Sequence, residues 1–426
     1  MHRRHFLGSA VALAAFQDDS LTKVTAAAAS TSGRTAQVVA QDEDFWFNVR
    51  HAFTVDRNII NLNNGGVSPA PKVVMDAEIR YLEMENMTPT YYMWRILDPG
   101  IEVARRRLAQ IFGCDQEEIA ITRNASEALE IVQLGLDLKR GDEVISTNQD
   151  YPRMISTWQQ RERREGIVFK QVKFTVPPPS MEYLAKQIED AVTPKTKVIH
   201  ICHMTNRTGQ IFPVREICRK AKARGIEVIV DGAHSFAQFP FKRDDLECDY
   251  FGTSLHKWLL APIGTGMLYV KRDKIPKIWP MMGAEESLRA DIRKFEQVGT
   301  HPASQRNAIT EAVNFHESIG AERKAERFRY LRKRWADRLR GLPGVQMLNS
   351  EDPAQSCAIG FVSVKGVDAT KLVGYLWNKH RIWTTAIVTP GEYEGLRVTP
   401  NVYTTLEEID EFAAVMEKVA KGGIPA

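Results

Sequence analysis

Between residues 118 and 270 the chain alternates short apolar, β-branched runs with longer segments whose apolar positions recur at helical spacing. A run at 119–121 precedes a helical stretch at 127–136, 143–145 precedes 152–164, 167–172 precedes 181–192, and 198–201 precedes 214–224. The run 226–230 then ends on Asp231. Runs of this kind fit strands buried on both faces, and their alternation with helices predicts a mostly parallel sheet covered on both sides. Gly266-Met267-Leu268-Tyr269-Val270 returns with no helix before it, which predicts at least one antiparallel strand.

After a long helix at about 309–339 the pattern changes. Strands at 359–364, 382–387 and 396–399 mix with helices at 369–380 and 406–420, the pattern of a smaller α+β unit. Residues 22–41 are rich in Ala, Ser and Thr without an amphipathic period, so a flexible leader is expected there, with folded structure starting near Phe45. The expected organisation is an export signal and leader over 1–41, and a segment over 42–75 that packs with the small domain. A large cofactor-binding domain follows over 76–305, and a small domain over 306–426.

Composition narrows the class. The 426 residues, 43% of them hydrophobic, suit a globular chain of about two domains. A net charge of +4 spread along the sequence makes no electrostatic case for nucleic acid. The basic stretch 323–340 interleaves Phe328, Leu331, Trp335 and Leu339 at helical spacing and reads as a solvated helix face, with a site for an anionic partner as the alternative. Five single cysteines show neither zinc-ligand nor disulfide spacing. At the amino terminus, Arg3-Arg4 followed by Phe6-Leu7 and the uncharged run 10–16 has the anatomy of a twin-arginine export signal, implying a periplasmic protein, with a cytoplasmic one as the alternative. The run is too short to anchor in a bilayer, and no membrane span is expected.

The candidate chemistry lies in Gly252-Thr253-Ser254-Leu255-His256-Lys257-Trp258, just downstream of Asp231-Gly232-Ala233-His234. A lysine amine beside a hydroxyl and an imidazole, with an acid at the end of a neighbouring strand, is the set that pyridoxal 5'-phosphate (PLP) requires. The amine condenses with the cofactor aldehyde, Ser254 and His256 hold its phosphate, and Asp231 keeps the pyridine nitrogen protonated. Thr122-Arg123-Asn124-Ala125-Ser126-Glu127 joins a strand to a helix, so Ser126 and Glu127 present a helix amino terminus to that phosphate. Tyr151 follows the next strand, where it either stacks on the pyridine or packs in the core. Asn206 reaches the cofactor's phenolic oxygen or the substrate carboxylate, or else only shapes the turn before Gly209.

In this order the motifs, above all Ser254 to Pro262 followed by Gly264-Thr265-Gly266, resemble the class V aminotransferase family, within its isopenicillin N epimerase-like branch. The resemblance runs from about Asn61 to Glu411 and implies a fold-type I PLP-transferase: α/β, a large domain with a mostly parallel, seven-stranded-type sheet and a smaller α+β carboxyl-terminal domain. It implies that Lys257 carries PLP as an internal aldimine, that His234 lies near the phenolic oxygen, and that Thr300 reaches the cofactor of a partner subunit in a homodimer with shared sites. Arg397 matches the substrate-carboxylate arginine, and Asn63 and Asn64 match the amino-terminal substrate loop. The family also contains cysteine desulfurases, but the loop 386–393 lacks their mobile cysteine, and Cys357 lies too far upstream. The expected activity is therefore that of an aminotransferase or epimerase on an amino acid or related amine. A β-lyase cleaving a C–S bond and a non-catalytic PLP-fold binding protein remain as alternatives.

Overall fold

The computed structural model describes residues 19–425, and the Arg3-Arg4 motif lies outside them. The predicted runs become strands β2 (Ile119–Thr122), β3 (Glu143–Thr147), β4 (Val168–Val172), β5 (Thr196–Cys202), β6 (Glu227–Asp231) and β8 (Gly266–Val270), and the structure adds β1 (Ile60–Asn61) and β7 (Tyr250–Ser254). Strands β2 to β8 form a seven-stranded sheet in the order β2-β8-β7-β6-β5-β3-β4. Only β8 runs antiparallel to its two neighbours, as the missing helix before it predicts. Helices Ala125–Gly135 and Pro152–Glu165 pack in one apolar cluster, helices Met181–Ala191 and Val214–Lys222 in another, so both faces of the sheet are covered apart from the edge strand β4, which stays partly exposed. All-apolar strands are stable only when covered in this way.

The parallel strands end together, and their carboxyl ends carry Asp231 on β6 and Ser254 on β7, with Tyr151 just beyond β3 and Asn206 just beyond β5. The connection that leaves β3 runs outward to β4 and the one that leaves β5 runs the opposite way to β6, so a crevice opens between β3 and β5, at such a switch point.

The smaller unit contains β9 (Val345–Met347), β10 (Gly360–Val364), β11 (Ile382–Trp383), β12 (Thr385–Thr389) and β13 (Tyr393–Val398). β12, β13, β10 and β9 make an antiparallel sheet, while β11 pairs in parallel with β1. The single strand expected at 382–387 is thus two, because the chain changes sheets at the buried Thr384. The long helix expected at 309–339 is also two, Ile309–Ile319 and Ala321–Leu339, broken where Gly320 takes φ +92°. Asn63 bridges Thr399, so the amino-terminal segment is stitched to the small unit.

The expected flexible leader is corrected over its described part. Ser20–Ser30 and Ala36–Val39 are helical, and Val24 and Val39 are buried in the core shared with Phe45 and Trp46. Their few apolar residues carry no amphipathic period, but two of them meet a groove made by distant helices. No described helix is long and apolar enough to cross a membrane.

Candidate active site

Lys257 sits in the turns between β7 and β8, a connection held from beneath. Trp258 is fully buried and stacks edge-on against Phe328 at 5.2 Å. Leu260, also fully buried, takes φ +66°, a conformation a leucine keeps only when its surroundings impose it. The carbonyl of Trp258 accepts a hydrogen bond from Lys324, a buried lysine whose other neighbour is His316 Nδ1 at 3.4 Å. The peptide next to Lys257 is therefore clamped to the helix Ala321–Leu339.

A cavity of ≈ 550 Å³ opens at the strand ends, and Lys257, Asp231, His234, Ser254, His256, Asn206, Tyr151, Ser126 and Glu127 all line it. The sequence-predicted set thus converges in one place. Lys257 Nζ lies 3.2 Å from His234 Nε2. Burial pulls the Lys257 amine down to about 8, with Asp231 opposing the shift and Arg397 assisting it. Burial raises the Asp231 carboxyl to about 6, because only the Ala233 amide at 2.9 Å and the Cys202 thiol at 3.9 Å donate to it. A buried carboxylate with so few donors gains from a cation placed against it, which a protonated pyridine supplies.

Burial, then Lys257 and Arg397, push His234 well below the ordinary imidazole value, so it is neutral and its Nε2 shares a hydrogen bond with the Lys257 amine. Its Nδ1 is left buried without a partner, as is Asn206 Oδ1. Both are polar atoms waiting for a ligand. His256 Nδ1 meets the Thr265 carbonyl at 3.2 Å, which fixes the proton on that nitrogen. Burial, with Lys257, lowers its pKa to about 4.

The phosphate end is built from the helix Ala125–Gly135. Asn124 caps it, its side chain accepting from the Glu127 amide at 2.9 Å, while Ser254 Oγ accepts from the Ala125 amide at 2.9 Å. Gly266 makes this approach possible, since a Cβ there would lie 2.6 Å from Asn124 Cα. Ser126 lines the cavity at the second position of the helix. Glu127 is corrected from anion contact to support: its amide is taken by Asn124, and its carboxylate binds the Arg123 guanidinium at 2.7 and 3.0 Å. Arg123, which sequence reasoning passed over, thereby lines the cavity itself. Its place immediately before a capped helix was the available clue.

Arg397 donates to the Asn206 carbonyl at 2.9 Å and to Asn63 Oδ1 at 2.8 Å, leaving Nε buried and unpartnered. Burial lowers it to about 10 despite Tyr151 nearby, so it too lacks an anion. Asn63 joins the site through Arg397, but Asn64 does not. Asn64 is fully buried, donates to the Asn61 and Thr399 carbonyls and accepts from the Tyr403 hydroxyl at 2.6 Å, a structural tie between segment and small unit. Tyr151 is 39% exposed at the cavity wall, which removes the core-packing alternative. Thr300 is exposed and stands outside this cavity in the single chain. Cys202, Met281 and Arg153 also line the cavity and were not anticipated.

The donor set fits PLP: an amine for its aldehyde, a carboxylate for its nitrogen, unpartnered polar atoms at its ring and a helix amino terminus for its phosphate. Comparisons agree with this reading. The chain is 28% identical to the isopenicillin N epimerase of Amycolatopsis lactamdurans over 395 residues, 88% of this chain and 99% of that one. It is 28% identical to a cysteine desulfurase of Haloferax volcanii over 282 residues, 62% of this chain and 65% of that one. It is also similar to solved structures of the cystine C–S lyase C-DES. One, with the product cysteine persulfide, has a TM-score of 0.74 at 25% identity, covering 85% of this chain and 98% of that one. Another, a mutant with glycine covalently linked to the PLP cofactor, has a TM-score of 0.76 at 24% identity, covering 86% and 98%. Residues 60–412 match the family described as aminotransferase class-V, and the chain belongs to that family of PLP-dependent enzymes.

Proposed function

We propose that this enzyme acts at the α-carbon of an amino acid, as an epimerase or aminotransferase. The observation that carries the proposal is a buried amine of lowered pKa, Lys257, that feels both the Asp231 carboxylate and the Arg397 guanidinium, neither of which makes an ion pair within hydrogen-bond distance among the described residues. When bound, PLP supplies an electron sink for the charge left on the α-carbon after proton removal. Lys257 takes that proton, and its pKa of about 8 suits a base working near neutrality. Arg397, held by Asn63 and Asn206, orients the substrate carboxylate. Asp231 holds the positive charge opposite the reacting end, and His234 fixes the position of the Lys257 amine.

The full-length match to an isopenicillin N epimerase supports epimerisation. The likeness to C-DES supports a second reading, β-elimination from a sulfur-containing amino acid. Persulfide transfer on a protein thiol has less behind it. Cys202, the cavity cysteine, is fixed at the end of β5, and burial followed by Asp150 and Asp231 raises its thiol well above the ordinary value. Export by the Arg3-Arg4 signal and a homodimer in which Thr300 completes the partner's site belong to the same proposal. Exposed Tyr91 and Trp94 offer apolar surface for such a dimer.

Incubation with an amino-acid panel in deuterated water, with and without a keto acid, tests the assignment. Solvent deuterium at the α-carbon without keto acid supports an epimerase, keto-acid dependence an aminotransferase, and pyruvate with ammonia a lyase. No exchange with any amino acid would remove α-carbon chemistry altogether.

A further inference from the structure

The basic stretch on the helix Ala321–Leu339, read from sequence as a solvated face, is divided in the fold. Part of it lines a second cavity of ≈ 330 Å³, between this helix, Gln37 and Gln41 of the amino-terminal segment, and the loop after β9. This cavity shares no lining residue with the one around Lys257.

Its wall carries four cations and three acids. Each acid is matched: Glu326 accepts from Arg329 at 2.7 Å, Asp337 from Lys333 at 2.5 Å, and Glu351 from Arg340. Arg332 is the cation left over. It is only 9% exposed, its Nη1 is buried without a partner, and it has no hydrogen bond or ion pair among the described residues. Arg329 Nε, in the same wall, is likewise buried and unpartnered.

A guanidinium nitrogen buried with no acceptor is costly, and a flexible side chain normally escapes to water. Arg332 is kept in place by its stem. A Cβ on Gly360 would lie 3.3 Å from Arg332 Cγ and 2.2 Å from the Trp335 ring, so the stem lies beside the first residue of β10 in a space that only glycine leaves. Burial lowers the Arg332 pKa; Arg329 and Arg340 push the same way, while Cys357 and Asp337 oppose them. An anion against Nη1 would give that buried donor the acceptor it lacks. Tyr330, Ala336 and Met347 give the cavity an apolar part beside the charged one.

We propose that this cavity is a second binding site, for a small metabolite bearing a phosphate or carboxylate group that pairs with Arg332. The volume stands near the lower end of small-molecule sites, roughly 300–1,000 Å³, which suits a compact metabolite. A ligand here bridges the amino-terminal segment to the helix of the small unit.

The test uses PLP-loaded, full-length protein, in which the cofactor's own phosphate site is filled. Inorganic phosphate and succinate are titrated separately at ionic strength held constant with sodium chloride, with binding read by calorimetry and by the thermal midpoint. Saturable binding of one or both is expected, weakened roughly tenfold or more in Arg332→Met, with the cofactor absorbance unchanged. Response to phosphate alone identifies a phosphorylated ligand, and response to succinate alone a carboxylate. Should Arg332→Met fail to fold, Gln41→Glu supplies an acid from the cavity wall itself. That variant is expected to raise the midpoint without added anion and to lose anion binding. The proposal is overturned if neither anion binds beyond the chloride control, or if binding survives unchanged in whichever of the two variants folds.

Discussion

The amine of Lys257 and Nε2 of His234 are 3.2 Å apart, and the histidine is held neutral by its burial and by the cations Lys257 and Arg397. A neutral imidazole beside the lysine orients it without competing for its charge. Neither group could do this on the surface, where both would be solvated and independent.

The pH dependence of cofactor capture follows from this. Only the uncharged amine attacks an aldehyde, and the uncharged fraction rises with pH until it passes the pKa. With Lys257 lowered to about 8, the association rate of PLP with the cofactor-free protein should climb to about pH 8 and level off. An ordinary lysine would keep climbing past roughly pH 10. Because Asp231 opposes the lowering, Asp231→Asn should move the plateau to lower pH. Stopped-flow mixing across pH 6 to 10 measures both; a rise continuing through pH 10 would falsify the assigned environment.

Asp231→Asn removes the carboxylate proposed to pair with the cofactor nitrogen but keeps the shape and the Ala233 contact. Turnover is expected to drop roughly 10²- to 10³-fold, the usual cost of losing one preorganised charge partner, while PLP stays attached to Lys257. The check is kcat alongside the cofactor absorbance, and turnover within a few fold of wild type would contradict the role.

Arg397→Leu deletes the guanidinium held by Asn63 and Asn206. Charge-assisted hydrogen bonds contribute about 1.5–3 kcal/mol each, so KM for an amino acid should rise roughly 10- to 150-fold with a smaller change in kcat. An amine without a carboxylate should be processed equally well by both proteins. Equal KM values for an amino-acid substrate would assign Arg397 to structure instead.

Lys324 is fully buried against the Trp258 carbonyl, and burial lowers its pKa to about 7. Between that value and roughly 10.4, the unfolded lysine holds a proton that the folded one has released, so this group makes stability rise with pH across the window. Lys324→Met lacks the titration. The wild type should therefore gain stability relative to Lys324→Met on going from pH 6 to pH 9, read as the difference in urea midpoints. A difference that does not change with pH would mean that the buried lysine keeps its proton throughout.

Much of this was legible beforehand. The strand runs around Ile121, Ile145, Ile199 and Ile229 announce themselves because a buried parallel strand must be apolar on both faces. Lys257, Asp231, Ser254 and His256 were found because their chemistry demands particular residue types at a strand's carboxyl end. What failed was context. Asn64 looks identical to Asn63 in sequence, yet one meets Arg397 and the other is consumed by Thr399 and Tyr403. Val24 and Val39 lie in a composition typical of a leader and are buried only because distant helices supply the groove.

Local sequence determined which segments become strands and helices and which residue types could do the chemistry, since these depend on periodicity and functional groups within a few residues. Tertiary structure alone decided which polar atoms keep a partner. Asn206, Arg397 and Arg332 have unpartnered atoms, and Asn64 does not, because pairing inside a protein is settled by groups brought together from far along the chain and shut away from water.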